Sequence, residues 1–451
     1  MNLIESALAA CAVLCLLAAL APTPVRGRAT VTTTSLFLVV GAAILAQQGL
    51  RWQLVGVLVA GLSGAALAGF RVRTARPRSR PGGVVFGAAL TLAFVSLLTG
   101  AAAIWGFRPL DLPDPGGDHP VGTRTAYWTD ASRGEPATTD PLDHRLVVAQ
   151  IWYPTDSRGA PAPYLGPHPQ TTQKGLANLL GVPAFLLGEA ARGHGHSTQN
   201  AALTTGGGKL PIVLFSPGLI GVRFQNTAWA EYLAARGYLV VALDHPYDSA
   251  VTVDEQGRPL WSKVGGTGSD SSDNREADRL TAVRADDLSF ALTQIEASPE
   301  FGSRIDTGRV AVAGHSAGGA AALLAAGRDD RFRAAIDIDG KPRDGARPDQ
   351  PVLALVAGDG TGNEDNDTRY AAALDSALAG NPNSRQVTVA DTKHLSLTDA
   401  PFLLPRVPVL FGSASREKAY AAVTGATQAF LLATFRNEPA DLTSYGTVKS
   451  S

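Results

Sequence analysis

Three residues in this 451-residue chain have the types and the order for nucleophilic chemistry: a serine at 316, a histidine at 394 and an aspartate between them. Ser316 sits in Gly314-His315-Ser316-Ala317-Gly318, after the apolar run Val310–Ala313 and before the small-residue run Ala320–Ala326. That pattern reads as strand, sharp turn, helix. Such a turn lifts one hydroxyl clear of the backbone, and the glycines let it close. A serine alone is a poor nucleophile near neutral pH; it needs a base within hydrogen-bond reach and a third group to orient that base. His394, in Asp391-Thr392-Lys393-His394, is the only one of eight histidines that follows Ser316 in the chain.

The acid has two candidates. Asp339 ends the run Ala334–Ile338, and Asp359 follows the next one, in Ala357-Gly358-Asp359-Gly360. Either can reach a histidine at the top of a sheet, and the later position is the usual one in α/β-hydrolases. Asp337 lies deeper on the same strand and reads as a buried, hydrogen-bonded carboxylate. A tetrahedral oxyanion needs two backbone amides. The amide of Ala317 follows the nucleophile, and Leu219 is the candidate for the second, in the turn Phe215-Ser216-Pro217-Gly218-Leu219-Ile220.

The elements that must hold these residues alternate. Strand-like runs occur at Leu146–Tyr153, Ile212–Ser216, Tyr238–Leu243, Val310–Ala313, Ala334–Ile338, Val352–Val356 and Gln386–Val389. Helical stretches occur at Thr227–Arg236, Arg275–Ala297, Ala317–Gly327, Thr368–Ala379 and Arg416–Phe435. Alternation of this kind indicates a mainly parallel sheet covered on both faces, and the serine elbow upon it makes an α/β-hydrolase fold the expectation. Active sites in such sheets lie at the carboxyl ends of the strands. Gly193-His194-Gly195-His196 and the acidic stretch Asp359–Asp367 read as polar loops rather than metal sites; neither a metal nor a cofactor is expected. Gly265–Asn274 reads as a disordered or lid-like loop, and Asp244-His245-Pro246 as a structural strand end, with lining of the cleft as the alternative.

Residues 1–106 differ from the remainder. Apolar runs at Leu3–Ala21, Ser35–Gln47, Trp52–Phe70 and Val84–Trp105 predict an all-α region of about four transmembrane helices, with the hydrolase domain over 107–451. No basic residue precedes the first run and further spans follow it, which argues against a cleaved signal peptide. Arg26 and Arg28, and then Arg71, Arg73, Arg76, Arg78 and Arg80, flank alternate spans. Putting both groups in the cytoplasm predicts a multi-pass cell-membrane protein with an extracytoplasmic catalytic domain. Cys11 and Cys15, four apart on one helical face, are expected to pack as small apolar residues. A net charge of −1 gives no basic surface for nucleic acid.

Several of these segments resemble one family. Phe215-Ser216-x-Gly218-Leu219, the elbow Gly314-His315-Ser316-x-Gly318-Gly319, Arg331-Phe332-Arg333 leading into Ile336-Asp337-Ile338-Asp339, Val148–Pro154 and His394–Asp399 resemble the platelet-activating-factor acetylhydrolases and their bacterial relatives, over roughly residues 121–437. The resemblance implies Asp339 rather than Asp359 as the acid, Leu219 and Ala317 as amide donors, and a calcium-independent esterase on short or oxidised acyl chains of phospholipids. Pro217 departs from the family's usual histidine before the Gly-Leu pair. The expected function is therefore a membrane-anchored serine ester hydrolase with a small-molecule ester or lipid substrate. The alternatives are an acyltransferase, a broad-specificity esterase or lipase on other esters, and a non-catalytic membrane scaffold.

Overall fold

A computed structural model describes residues 3–74, 80–265, 270–360 and 362–450. The chain forms two compact units, Met1–Pro109 and Leu110–Ser451.

The first unit is four helices: α1 (Leu3–Leu20), α2 (Thr23–Gln48), α3 (Trp52–Arg73) and α4 (Arg80–Gly106). All four are long and apolar enough to cross a membrane. They run up and down. Arg51, before α3, is ion-paired with Glu5 of α1 at 2.6 Å and donates to the carbonyl of Phe107, just past α4. At the opposite ends, Arg71 of α3 donates to the Ala19 carbonyl of α1. Glycine lets α3 and α4 meet. A Cβ on Gly56 would lie 2.6 Å from the Ser96 carbonyl oxygen, and one on Gly100 2.6 Å from the Val57 nitrogen. Cys11 and Cys15 are both buried.

The second span is longer than its apolar run. The helix begins at Thr23, with proline in its first turn, so Arg26 and Arg28 lie on helix rather than in a loop. Thr30 and Thr33 return their hydroxyls to carbonyls four residues back, which hides their polarity inside the helix. Arg76 and Arg78 lie outside the described residues.

The second unit is built on an eleven-stranded sheet. Its strands in chain order are β1 (Val121–Gly134), β2 (His144–Pro154), β3 (Pro161–Pro163), β4 (His194–Gln199), β5 (Leu210–Ser216), β6 (Leu239–Asp244), β9 (Ile305–His315), β10 (Ala334–Ile338), β11 (Val352–Ala357), β12 (Arg385–Val389) and β13 (Thr447–Ser450). A separate hairpin holds β7 (Val251–Val253) and β8 (Pro259–Trp261). The sheet order is β13-β12-β11-β10-β9-β5-β6-β2-β1-β4-β3. From β12 through β6 every pairing is parallel, while β2 meets β6 and β1 antiparallel.

The helices are α5 (Pro169–Leu180), α6 (Gly188–Arg192), α7 (Thr227–Ala234), α8 (Asp270–Glu296), α9 (Ala317–Arg328), α10 (Glu364–Leu378), α11 (Ala400–Leu403), α12 (Pro408–Phe411) and α13 (Arg416–Arg436). Period-2 alternation along β5 separates the two faces. Ile212 and Leu214 pack with Leu288 of α8, Leu323 of α9 and Leu374 of α10. Val213 and Phe215 pack with Trp229 of α7 and Phe430 of α13. Both faces are covered, as the continuous apolar strands required.

Three loop readings are corrected. His194 and His196 lie on strand β4, paired with β1 on one side and β3 on the other; the His196 and Ser197 amides donate to the buried Glu231 carboxylate, which holds this polar segment in extended form. The acidic stretch after Asp359 becomes helix at Glu364, because the Asn363 side chain accepts from the Asn366 amide at 3.0 Å and caps it. Gly265–Asn274 is helical from Asp270 onward, and residues 266–269 lie outside the described residues.

Candidate active site

The apolar strand β9 ends at His315 and α9 begins at Ala317, so Ser316 alone makes the turn. Its backbone has φ 57° and ψ −123°, a region costly for an L-residue. The chain holds it there by close packing. The Ser316 amide donates to the Ile338 carbonyl at 2.9 Å, and a Cβ on Gly318 would overlap the Ser216 carbonyl. The serine is partly exposed at the carboxyl end of the sheet, where the N-terminus of α9 also points.

Asp339 follows β10 directly. Its Oδ1 accepts the Ala357 amide at 2.9 Å and its Oδ2 accepts His394 Nδ1–H at 2.7 Å. His394 opens a short turn of helix after β12. Ser316, Asp339 and His394 all line one cleft of about 890 Å³, with Lys341, Lys393 and Tyr370 on its wall. Asp359 also lines the cleft, but its carboxylate makes no bond to His394 among the described residues. Asp337 is fully buried beneath the elbow, where Oδ1 accepts the Gly340 amide at 2.8 Å. Burial pushes its carboxyl well above the usual range.

A chain of hydrogen bonds joins the turn after β5 to the histidine segment. The Gly218 amide donates to Gln225 Oε1 at 3.0 Å. Gln225 Nε2 donates to His315 Nδ1 at 2.8 Å, and His315 Nε2–H donates to the His394 carbonyl at 3.1 Å. The His315 and His394 rings lie 4.4 Å apart, tilted by 38°. Burial, with the His394 charge beside it, holds His315 down to about 3, so it stays neutral. Among the described residues, no protein acceptor takes the amides of Leu219 or Ala317. A serine on this turn, a carboxylate-bound imidazole in the same cleft and two free amides nearby can carry out acyl transfer. No group of three or more His, Cys, Asp or Glu residues that could hold a metal occurs among the described residues.

Sequence reasoning passed over Gln225, whose amide has no motif to mark it, and the role of His315 beyond flanking the serine. It also passed over Asp399, which is buried against the N-terminus of α7. The Ala228 amide and the Tyr164 hydroxyl both donate to it, each at 3.2 Å. Burial, with the Glu231 carboxylate nearby, pushes Asp399 up to about 8. An aspartate in the unfolded chain titrates near 3.9. The folded protein therefore holds a proton that the unfolded chain releases. This contribution to stability is full below about pH 4 and is lost as pH rises through 8. Asp399→Asn is expected to flatten the decline in unfolding free energy by up to about 1.4 kcal/mol per pH unit between pH 5 and 8. Denaturant unfolding followed by tryptophan fluorescence across that range checks this; parallel curves for the two proteins would refute it.

Fold and site together define an α/β-hydrolase. Residues 107–268 and 283–438, more than half of the chain, match the family described as platelet-activating factor acetylhydrolase, isoform II, and the chain belongs to that family. Among curated relatives, a probable 1-alkyl-2-acetylglycerophosphocholine esterase of Arthroderma benhamiae is 27% identical over 206 residues, 43% of this chain and 50% of its own length. A platelet-activating factor acetylhydrolase of Cavia porcellus is 28% identical over 220 residues, 42% of this chain and 49% of its own. The chain thus spans about half the length of the curated relatives it matches. Among solved structures, a ferulic acid esterase from Streptomyces cinnamoneus superposes with a TM-score of 0.62 at 27% identity, over 76% of this chain and 99% of that one.

Proposed function

We propose that the chain is a membrane-anchored serine carboxylic ester hydrolase acting on short-acyl lipid esters. The observation that carries this is the single cleft shared by Ser316, His394 and Asp339. Ser316 Oγ attacks the ester carbonyl while His394 Nε2 takes its proton. Asp339 holds Nδ1–H and so fixes the tautomer that leaves Nε2 free to accept. The amides of Leu219 and Ala317 stabilise the oxyanion. His394 returns the proton to the leaving alcohol, and water, activated by the same imidazole, cleaves the acyl-enzyme. The four apolar helices anchor the chain. The arginines in the first turns of the second span and those between the third and fourth favour the cytoplasm, which leaves the hydrolase unit outside.

The names of the curated relatives support an acetylated glycerophospholipid as substrate. A second reading, a broader esterase for non-phospholipid esters, draws support from the ferulic acid esterase, almost all of which superposes on this chain. The full chain in detergent, assayed on short-acyl phospholipid, long-acyl phospholipid, p-nitrophenyl acetate and methyl ferulate, separates the two. Preference for short-acyl phospholipid supports the first. Turnover of the simple esters alone replaces it with the second.

A further inference from the structure

Beneath the turn after β5 lies a second serine-histidine-aspartate set. Ser216 Oγ–H donates to His245 Nε2 at 2.8 Å, and His245 Nδ1–H donates to Asp287 Oδ2 at 2.8 Å. Its hydrogen bonds are complete, yet all three residues are 0% exposed. No ester can reach Ser216, so the set is not a second active site. Burial holds His245 neutral, which makes Nε2 an acceptor and Ser216 the donor. Burial alone would raise Asp287; the Arg145 guanidinium and the His245 bond overturn that and keep it ionised. With its proton committed to His245, Ser216 Oγ can only accept from its other neighbour.

That neighbour is Arg284, also 0% exposed. Asp248 takes its fork in two bonds, Nε to Oδ2 at 2.6 Å and Nη2 to Oδ1 at 2.7 Å. The remaining donors all point at one place. Nη1 donates to the Pro217 carbonyl at 2.5 Å and to Ser216 Oγ at 3.3 Å; Nη2 donates to the Gly218 carbonyl at 3.1 Å. The Gly218 amide is tied to Gln225 on the other side. In a trans peptide the carbonyl of one residue and the amide of the next point in opposite directions. Fixing the Gly218 carbonyl toward Arg284 therefore aims the Leu219 N–H the opposite way.

We infer that Arg284, held by Asp248 and by the buried Ser216–His245–Asp287 set, is a positioning residue that orients the Leu219 amide as an oxyanion donor. This rests on the esterase reading above. A preorganised donor stabilises the transition state because it need not reorient during the reaction, and losing one costs roughly 10²–10³ in kcat. Arg284 touches no substrate, so KM is not its readout.

The test uses the full chain with Arg284→Met, Arg284→Lys and the milder Ser216→Ala. Turnover of p-nitrophenyl acetate and inhibition by an aryl trifluoromethyl ketone, which forms a tetrahedral oxyanion on serine, are measured together. Arg284→Met is expected to lower kcat about 100-fold with KM within about twofold, and to weaken the ketone by a matching factor. Arg284→Lys should recover only part, since an ammonium cannot copy the fork. Ser216→Ala should lower kcat about threefold to tenfold and keeps the test decisive if Arg284→Met does not fold. Folded variants with wild-type kcat and wild-type ketone affinity overturn the inference alone. A wild-type chain that neither cleaves the ester nor reacts with a fluorophosphonate overturns the esterase reading, and the inference with it.

Discussion

Ser316→Ala is expected to abolish ester turnover, by on the order of 10⁵–10⁶ in kcat, while leaving the fold intact. In the proposed mechanism the loss is large because the hydroxyl is the atom that bonds to the acyl group; the residual rate would come from the amides and from binding alone. Ser316→Gly makes the argument sharper. Ser316 occupies φ 57°, where a side chain is strained and glycine is not. Glycine should be as inactive as alanine yet more stable, by about 1 kcal/mol after its own entropic cost, or roughly 1–2 °C in Tm for a unit of this size. Turnover by Ser316→Ala near the wild-type rate would end the mechanism. A Ser316→Gly chain less stable than wild type would end the claim that the elbow stores strain.

Asp339→Asn is expected to cost about 10⁴ in kcat, and Asp359→Asn no more than about threefold. Asp339 Oδ2 receives His394 Nδ1–H, and that bond keeps the proton off Nε2. An asparagine amide turned toward Nδ1 donates instead of accepting. It stabilises the other tautomer, with the proton on Nε2, and the imidazole can no longer take the serine's proton. The second Asp339 oxygen is committed to the Ala357 amide, so the carboxylate cannot drift. Asp359 is exposed and has no bond to the imidazole among the described residues. Steady-state rates of the two variants decide the matter. If Asp359→Asn is the crippled one, the assignment of the acid is wrong.

The elbow was legible in the sequence because three local signals agreed: an apolar strand, a glycine-flanked serine and a helix of small residues. The parallel core strands were legible for the same reason, since burial on both faces makes each a continuous apolar run. The strands beyond β2 were not. β1 reads Thr-Arg-Thr-Ala-Tyr-Trp-Thr-Asp, and its pairing with β2 is fixed by tertiary contact rather than by its own pattern. β4, with its two histidines, is extended because the Glu231 carboxylate receives its amides from a helix 35 residues on. Asp339 and Asp359 could not be separated by spacing alone, because both follow a strand; only the resemblance favoured the first. The Ser216–His245–Asp287–Arg284 array joins three distant segments, the ends of β5 and β6 and the middle of α8, and no local window contains it.

The adjacent pair His315 and His394 bears on how the site handles protons. Two imidazoles 4.4 Å apart would ordinarily share a positive charge, and a catalytic proton could wander between them. Here both His315 nitrogens are already committed, one to Gln225 and one to the His394 carbonyl, and the ring remains neutral down to about pH 3. The cleft thus has a one-proton memory. In the proposed mechanism, whatever His394 takes from the serine it must keep until the leaving alcohol collects it, because the nearest ring has no vacant site.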